Sequence, residues 1–304
     1  MVKQPVIVLT GPTASGKTKL AANLANLINA EIISADSRQI FIGMDIGTGK
    51  DLSDYNINNN IIKTHLIDIK QIGEDFSVWE FQETAEKILS NINNDKYSII
   101  CGGTAFYIKA LIKNYEYTQI PPNKELRSLL EYKSINELIT IFNKTKSIYT
   151  NLADTSTKRR LIRSIEIAQF LSYKNNIKIN DINKKHTFKV FAINVDKETR
   201  RKLILERLNF RLGTGLIEEV AYLLKTNSHN TIINYGLEYK YISLYLLGKI
   251  NHKEMHEQLY IQICRYAKRQ MTFLRHLEKS SIKITWIPYE CNLNKKMTFI
   301  TSLL

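Results

Sequence analysis

The stretch VIVLTGPTASGKTKLAANLANLI, residues 6–28, decides the fold. Residues 6–9 are apolar and largely β-branched, which is typical of a buried parallel strand. Residues 11–18, GPTASGKT, match G-x-x-x-x-G-K-[ST], the phosphate-binding loop of ATP- and other nucleotide-binding proteins. The residues that recur at helical spacing after the loop are Leu20, Leu24, Leu27 and Ile28. Strand, glycine loop and helix in this order predict a P-loop NTPase-like core.

Such a loop predicts a phosphate site. Its backbone N–H groups converge on one point, and the helix that follows adds the positive end of its dipole. We expect Lys17 to neutralise a phosphate oxygen and Thr18 to bind a magnesium ion. The alternative is a glycine turn that only joins a strand to a helix. The residues expected to line the site are Gly11, Pro12, Thr13, Ala14, Ser15, Gly16, Lys17 and Thr18.

Composition excludes several classes of protein. The chain has 304 residues, of which 44% are hydrophobic, so global disorder is excluded. No apolar stretch is long enough to span a membrane, and the first strand begins close to the N-terminus, so we expect a cytoplasmic protein that does not bind membranes. The cysteines are far apart and form no C-x-x-C pair, which argues against a disulfide framework or a zinc site. They are Cys101, Cys264 and Cys291.

The charge of the chain is unevenly distributed. The formal net charge is +14. Residues 1–115 hold 11 lysines and arginines against 12 aspartates and glutamates, whereas residues 116–304 hold 32 against 17. A basic body joined to a phosphate-loop core indicates a polyanionic partner. A general lysine-rich composition is the competing explanation.

The pattern along the chain predicts an α/β fold with a parallel sheet flanked by helices. Strands are expected at 30–36 and 65–69, and a helix at 76–89. Residues 97–112 repeat the order of strand, glycine turn and helix. Ligands of such sheets bind beyond the carboxyl ends of the strands, which would bring residues 11–18, Asp36 and residues 102–104 together.

A helical segment interrupts this pattern. Residues 118–186 show helical periodicity without a strand, and residues 189–196 then return to a strand. We therefore expect a catalytic core formed by residues 1–117 and 187–304, with a helical insertion at 118–186. The remainder of the chain is expected to be mostly helical, ending in Trp286-Ile287-Pro288 and a short tail.

Three side chains are candidates for chemistry at the sheet edge. Asp36, at the end of a strand, could act on magnesium or on a nucleophile, or could cap the following turn. Thr104 follows two glycines and could face the ligand, act as an N-cap, or do both. Arg207, one helical turn from Arg211, could reach the phosphates or lie on the surface.

Two basic helix faces point to nucleic acid. One lies in KRRLIR, where Arg159, Arg160 and Arg163 share a face. The other lies in CRYAKRQMTFLRH, residues 264–276, where an apolar side opposes a basic one. An ordinary solvated surface is the alternative for each. The residues of the second basic face are Arg265, Lys268, Arg269, Thr272 and His276.

Taken together, these motifs resemble the tRNA dimethylallyltransferase family of bacteria, also called tRNA isopentenyltransferases or IPP transferases. The resemblance covers about residues 5–276. It rests on GPTASGKT, SADSRQIFIGMDIGTGK, HLIDI, FSVWEFQETA, GGTAFYIKAL, RRLIRSIEI and KRQMTFLR.

The resemblance implies a reaction. It implies transfer of a dimethylallyl group from dimethylallyl diphosphate to N6 of the adenosine 3′ to the anticodon, position 37 of tRNA, with Mg²⁺ as cofactor. The loop would hold the departing diphosphate with help from Arg207. Asp36 would accept the proton of the amine or hold the amine in line, and Thr104 would orient the base. Contacts with the tRNA anticodon stem-loop are implied for Asp36, Ser37, Arg38, Gln39, Thr104, Arg127, Arg159, Arg160, Leu161, Ile162 and Arg163.

One departure and two alternatives limit this interpretation. NYGLEYKYI, residues 234–242, stands where the family carries a G-Y-[KR]-E/Q-like stretch, so no role is transferred onto residues 235–240. A small-molecule or nucleotide kinase would share the loop and would require ATP. An RNA-binding protein without chemistry would bind tRNA and leave it unmodified. We expect the transferase, acting as a monomer.

Overall fold

In a computed structural model of the chain, the structure describes residues 4–93, 95–113, 116–145, 147, 149–150, 153–173, 186–280 and 282–304. The chain divides into two compact units. The core unit comprises Met1–Ile112 and His186–Leu304, and the insertion unit comprises Lys113–Lys185. The boundaries expected from the sequence, at 118 and 187, lie five residues and one residue from this division.

The described part of the core unit contains a six-stranded parallel sheet. Its strands are β1 Val6–Thr10, β2 Ala30–Ser34, β5 Thr64–His65, β6 Tyr97–Cys101, β7 Phe188–Asn194 and β8 Ile284–Pro288. Their order is β5-β2-β6-β1-β7-β8. A small antiparallel hairpin pairs β3 Asn56–Ile57 with β4 Asn60–Ile61. The expected α/β fold with a parallel sheet is confirmed.

Helices surround the sheet. The helices of the core unit are α1 Lys17–Ile28, α2 Val78–Asn91, α3 Ala105–Lys113, α7 Lys197–Gly213, α8 Leu216–Thr226, α9 His229–Ile232, α10 Leu237–Leu246, α11 His252–Lys279 and α12 Leu293–Thr301. None of the helices in the described ranges combines the length and the apolar character needed to cross a bilayer.

Both faces of the sheet are buried, which explains why its strands read as continuous apolar runs. On β1, Val6 and Val8 pack into the core on one face, where α2, α3 and α11 contribute side chains. Ile7 and Leu9 alternate onto the other face, which is covered by α1 and α12. This sandwich holds the carboxyl ends of β1, β2 and β6 in register, so the loops that follow them meet at one edge.

The insertion unit is helical over its described residues. It contains α4 Lys124–Glu131, α5 Ile135–Lys144 and α6 Lys158–Tyr173. Ser134 and Glu137 form a capping box that starts α5. The three helices share a small apolar core of Leu130, Leu138, Phe142, Leu161, Ile162, Ile165 and Ala168.

Two sequence predictions need correction. The strand expected at 65–69 is only Thr64–His65, because Leu66 and Asp68 adopt positive φ angles of 62° and 53°, which no strand accommodates. The C-terminal region also holds a strand that was expected to be part of a mostly helical region and tail. This strand, Ile284–Pro288, pairs with β7 at the edge of the sheet, where a terminal proline is tolerated.

Candidate active site

The phosphate loop has the backbone that close approach to an anion requires. Gly16 has a φ of 77°, which favours glycine, and it precedes the first turn of α1. Lys17 Nζ donates to the carbonyl of Pro12 at 2.9 Å, which places its ammonium over the loop. Ser15 Oγ is buried and has no hydrogen-bond partner among the described residues. This hydroxyl and the loop N–H groups form a donor set that suits a phosphate.

Lys17 has an unusual ionisation. Burial lowers the pKa of this lysine to about 8. The positive charge of Arg207 acts in the same direction, whereas Cys101 and Asp36 act against it. Because a buried positive charge without a partner is unfavourable, the Lys17 ammonium is suited to bind a multiply charged anion.

The structure separates the two arginines that the sequence left undecided. Arg207 reaches from α7 to donate a hydrogen bond to the hydroxyl of Thr13, within the phosphate loop. Burial lowers the pKa of Arg207 to about 10, and Arg211 adds to this effect. Arg211 instead is 6% exposed and pairs with Asp51 at 3.4 Å. A side chain at Gly49 would collide with Arg211, so this arginine supports the loop at 49–51.

The sequence allowed two roles for Asp36, as a turn cap and as a group acting on magnesium or a nucleophile, and the structure shows the first. One of its carboxylate oxygens accepts the N–H of Arg38 at 3.0 Å, so it does cap the turn after β2. Burial raises the pKa of Asp36, while the charges of Lys17, Arg38 and Arg207 oppose this shift. Those charges act on Asp36 because the loop after β2 and the phosphate loop lie at the same edge. The carboxylate is therefore placed to take part in chemistry as well.

The turn after β6 joins this edge through backbone contacts. A Cβ on Gly102 would lie 2.3 Å from the carbonyl group of Ala35, so only glycine permits this approach. Thr104 donates its N–H to the carbonyl of Ala35 at 3.1 Å, and its hydroxyl accepts the N–H of Ser37 at 2.9 Å. Thr104 also stands immediately before α3. The predicted meeting of residues 11–18, Asp36 and residues 102–104 is confirmed.

Three polar side chains of this region, two of them buried, were missed by the sequence interpretation. Gln270 of α11 accepts the N–H of Thr13 at 2.8 Å and donates to the carbonyl of Gly103 at 3.1 Å. Lys50 is fully buried and donates to Phe41, Asp45 and Asp68. Local spacing carries no signal for either one.

The third is Glu219 of α8. Its carboxylate accepts three successive N–H groups, those of Asp45, Ile46 and Gly47, at 2.9, 2.6 and 3.0 Å. It also accepts the hydroxyl of Tyr239 at 2.8 Å. Glu219 and Lys50 together hold the segment that leads from Asp36 to the loop at 49–51.

The expected tRNA-contacting residues of the core unit divide by exposure. Arg38 is exposed and lies over the ring of Tyr235, 5.8 Å from its centre. Ser37 is half-buried. Gln39 is only 7% exposed, and its amide contacts Ser34 at 2.8 Å and the carbonyl of Gly49 at 2.8 Å. The placement of Gln39 argues against direct contact of its side chain with RNA and for a supporting role.

In the insertion unit, two of the expected arginines are tied to one buried acid. Arg127 binds the Glu166 carboxylate through two nitrogens at 2.7 and 2.8 Å. Arg163 contacts the same carboxylate at 3.2 Å and donates to the carbonyl of Ile120 at 2.6 Å. Since Glu166 is 3% exposed, both arginines have a structural role in this unit.

The rest of the run 159–163 divides in the same way. Arg159 and Arg160 are exposed, with Arg160 in a surface ion pair with Asp154 at 3.0 Å. Leu161 and Ile162 are 1% and 4% exposed and belong to the apolar core of the unit. Their burial argues against direct contact of these two side chains with RNA.

The basic face of α11 is confirmed. Leu259, Ile263 and Ala267 are buried, whereas Tyr266, expected on the apolar side, is 37% exposed. Arg265, Lys268, Arg269, Thr272 and His276 are all exposed.

The divergent segment 234–242 is structural in part, because Tyr235 packs edge-on against Phe41 with ring centres 4.6 Å apart.

Metal-binding potential is confined to a sparse donor set. The described residues contain no group of three or more histidines, cysteines, aspartates or glutamates that could hold a metal ion. Thr18 lies half-buried in the first turn of α1, beside the phosphate loop. The Thr18 hydroxyl is thus a single protein oxygen at this position, beside the place expected for a bound phosphate.

Comparisons with known proteins agree with this geometry. The chain is 47% identical over 290 residues to tRNA dimethylallyltransferase 1 of Azobacteroides pseudotrichonymphae genomovar CFP2, with 94% of each chain covered. It is 43% identical over 290 residues to tRNA dimethylallyltransferase 1 of Parabacteroides distasonis, covering 94% of this chain and 93% of that relative. These relatives are transferases, which favours the transferase interpretation over the kinase.

Solved structures share the fold. The crystal structure of the full-length tRNA isopentenylpyrophosphate transferase from Bacillus halodurans matches with a TM-score of 0.71 at 27% identity, covering 99% of this chain and 95% of that one. A eukaryotic dimethylallyltransferase acting on tRNA matches with a TM-score of 0.76, over 98% of this chain and 77% of that one; at 19% identity, this likeness concerns the fold alone. The model of the IPP transferase family matches residues 39–277, and the chain belongs to this family.

Proposed function

We propose that this chain transfers the dimethylallyl group of dimethylallyl diphosphate to N6 of the adenosine at position 37 of tRNA and releases diphosphate. The observation that carries the proposal is that the Asp36 carboxylate lies at the same sheet edge as the phosphate loop. Lys17 of that loop and Arg207 of α7 both contact loop residues there. Membership of the family and the names of the relatives support the nature of both substrates.

The phosphate loop serves the leaving group. When the carbon–oxygen bond of the substrate breaks, its electron pair stays on the diphosphate, whose negative charge grows. The loop N–H groups, Lys17 and Arg207 stabilise that charge, and groups fixed before the reaction do so without reorganisation. The hydroxyl of Ser15, buried without a hydrogen-bond partner among the described residues, supplies one more donor.

Asp36 serves the nucleophile. As the exocyclic nitrogen of adenine bonds to the dimethylallyl carbon, it becomes more acidic and must lose a proton. Asp36 accepts that proton, and its raised pKa makes it a better base than an ordinary aspartate. The hydroxyl of Thr104, anchored beside Ser37, orients the base, which must leave the stack of the anticodon loop to reach this edge.

Magnesium fits the donor set. Mg²⁺ keeps several waters and takes few protein ligands when substrate phosphates complete its coordination. Thr18, next to the phosphate loop, would provide the protein oxygen, and the ion would supply further neutralisation of the diphosphate charge.

The tRNA is bound by exposed basic residues. Arg38 in the core unit, Arg159 and Arg160 in the insertion unit, and the basic face of α11 present cations to solvent. Arg127 and Arg163 act through Glu166, by holding the insertion unit in shape. Because the proposed substrate is tRNA, we expect the enzyme to act in the cytoplasm.

The proposal is tested with an anticodon stem-loop RNA. Incubation with dimethylallyl diphosphate and Mg²⁺ should yield N6-dimethylallyl adenosine at position 37, and an otherwise identical RNA with guanosine there should remain unmodified. ATP should not be needed. An unmodified adenosine RNA, together with ATP-dependent phosphorylation of a small molecule, would support a kinase instead.

A further inference from the structure

We infer that Gln270 is a positioning residue that sets the distance between the two reacting substrates. Its amide is the bridge between the loop that holds the diphosphate and the turn that carries Thr104. This inference rests on the proposed function and assigns it a residue outside the phosphate loop and outside the acid–base group.

The bridge is made by both ends of one side chain. The Gln270 oxygen accepts the N–H of Thr13 at 2.8 Å, and the Gln270 nitrogen donates to the carbonyl of Gly103 at 3.1 Å. Glutamine is suited to this task because its amide offers an acceptor and donors on one short group. Gln270 is 7% exposed, so these hydrogen bonds are shielded from water.

Each end of the bridge leads to a residue with a chemical role. Thr13 accepts a hydrogen bond from Arg207, the arginine proposed to bind the diphosphate. Gly103 precedes Thr104, whose hydroxyl is fixed by Ser37, next to Asp36. A change in the amide therefore shifts the leaving-group side relative to the nucleophile side.

The approach is close enough to transmit such a shift. A Cβ on Gly103 would lie 2.4 Å from the Gln270 nitrogen, so the turn rests directly against the amide. The side chain is carried by α11, whose neighbouring Met271 and Leu274 are anchored in the core of the sheet. A rigid helix thus supports the bridge, and misplacement by about 1 Å can cost about 100-fold in rate.

The test compares three variants with the wild type in the prenyl-transfer assay. Gln270→Met keeps the volume and removes both hydrogen bonds. Gln270→Glu keeps the acceptor for Thr13 but sets a carboxylate oxygen against the carbonyl of Gly103. Gln82→Met makes the same replacement at another buried glutamine, on α2 and 1% exposed, as the matched control for altered packing.

We expect kcat of Gln270→Met to fall about 10- to 100-fold, with the KM of each substrate changed less than threefold. Gln82→Met should lower the Tm without lowering kcat. Gln270→Glu should also lower kcat, because it keeps the acceptor for Thr13 but loses the donor for Gly103.

Three results would overturn the inference. They are a wild-type kcat in Gln270→Met, an equal loss of kcat in Gln82→Met, and a loss carried by KM alone. Absence of prenyl transfer by the wild type would overturn the proposed function and this inference with it, so the two failures are distinguishable.

Discussion

At the scale of single residues, the site contains ionisable groups whose pKa values are shifted by burial. Burial lowers the pKa of Lys17 to about 8 and raises that of Asp36. The proposed mechanism needs a protonated Lys17 and an ionised Asp36. The active form is therefore lost when the pH falls through the pKa of Asp36, and it is lost again when the pH rises through that of Lys17.

We predict a bell-shaped dependence of kcat/KM for dimethylallyl diphosphate on pH. The alkaline limb should begin near pH 8, since the free enzyme loses the Lys17 charge there. In Lys17→Arg, whose guanidinium stays protonated, this limb should move to higher pH even if the rate is lower. A limb near pH 8 that persists in Lys17→Arg would assign it to another group.

Replacement of Asp36 by asparagine should separate chemistry from binding. Loss of the proton acceptor should lower kcat by about 100- to 10,000-fold. The Kd for tRNA should stay within a few-fold of the wild type, because the exposed arginines are unchanged. Single-turnover kinetics and filter binding measure the two quantities, and normal turnover in Asp36→Asn would remove this residue from the mechanism.

The sequence predicts the site residues that belong to a motif. Lys17, Asp36 and Thr104 each follow a strand of a repeating α/β pattern, so the rule for strand ends brings them together. Gln270 escapes it because its partners lie 257 and 167 residues away in the chain, and Glu219 because its backbone partners lie 172–174 residues away. Nothing in local spacing reports such a contact.

At the scale of elements, helices with strong apolar periodicity could be predicted from the sequence, whereas a short edge strand could not. The helices α1, α2 and α6 follow from their apolar spacing. The strand Ile284–Pro288 was missed because no glycine turn follows it, unlike β1 and β6, and because it is defined by pairing with β7. The burial of Gln39 could not be predicted either, because it depends on contacts with Ser34 and Gly49.

The hydrogen bonds between Glu219 of α8 and the backbone of residues 45–47 can be tested through the stability of the protein. Glu219→Gln removes the charge that attracts three N–H groups and turns an amide against some of them. We expect a loss of about 2 kcal/mol in the free energy of unfolding, as is typical for hydrogen bonds to a charged group.

The matched control for this change is Glu218→Gln, at the exposed neighbouring position on α8. Denaturant unfolding of both variants should show a lower midpoint for Glu219→Gln only. Equal midpoints for the two variants would show that the hydrogen bonds of Glu219 do not contribute to stability.

At the scale of the whole molecule, the charge asymmetry read from the sequence is carried by exposed side chains in both units. The fold explains which of them are available to a polyanion. Arg159 and Arg160 are exposed, whereas Arg163 is engaged with Glu166 and the carbonyl of Ile120. The run of basic residues therefore contains both solvent-exposed members and members engaged within the unit.

We predict that Arg159→Gln combined with Arg160→Gln weakens tRNA binding. The slope of log K against log salt should fall by about 2, because each arginine no longer neutralises one phosphate. Lys202→Gln, at a residue whose side chain is 78% exposed on α7, serves as the control for removal of a surface charge. An unchanged slope in the double variant would return these arginines to ordinary surface.

The proposed mechanism depends above all on the phosphate loop. The loop holds the diphosphate, which leaves as the amine of the RNA adenosine bonds to the dimethylallyl carbon. The most direct measurement counts both products, diphosphate and N6-dimethylallyl adenosine, in one reaction of dimethylallyl diphosphate, Mg²⁺ and unmodified tRNA without ATP. We expect one diphosphate for each modified adenosine, and both products to form about 100- to 10,000-fold more slowly in Asp36→Asn. Diphosphate release without modified adenosine, or modification only when ATP is consumed, would contradict this mechanism.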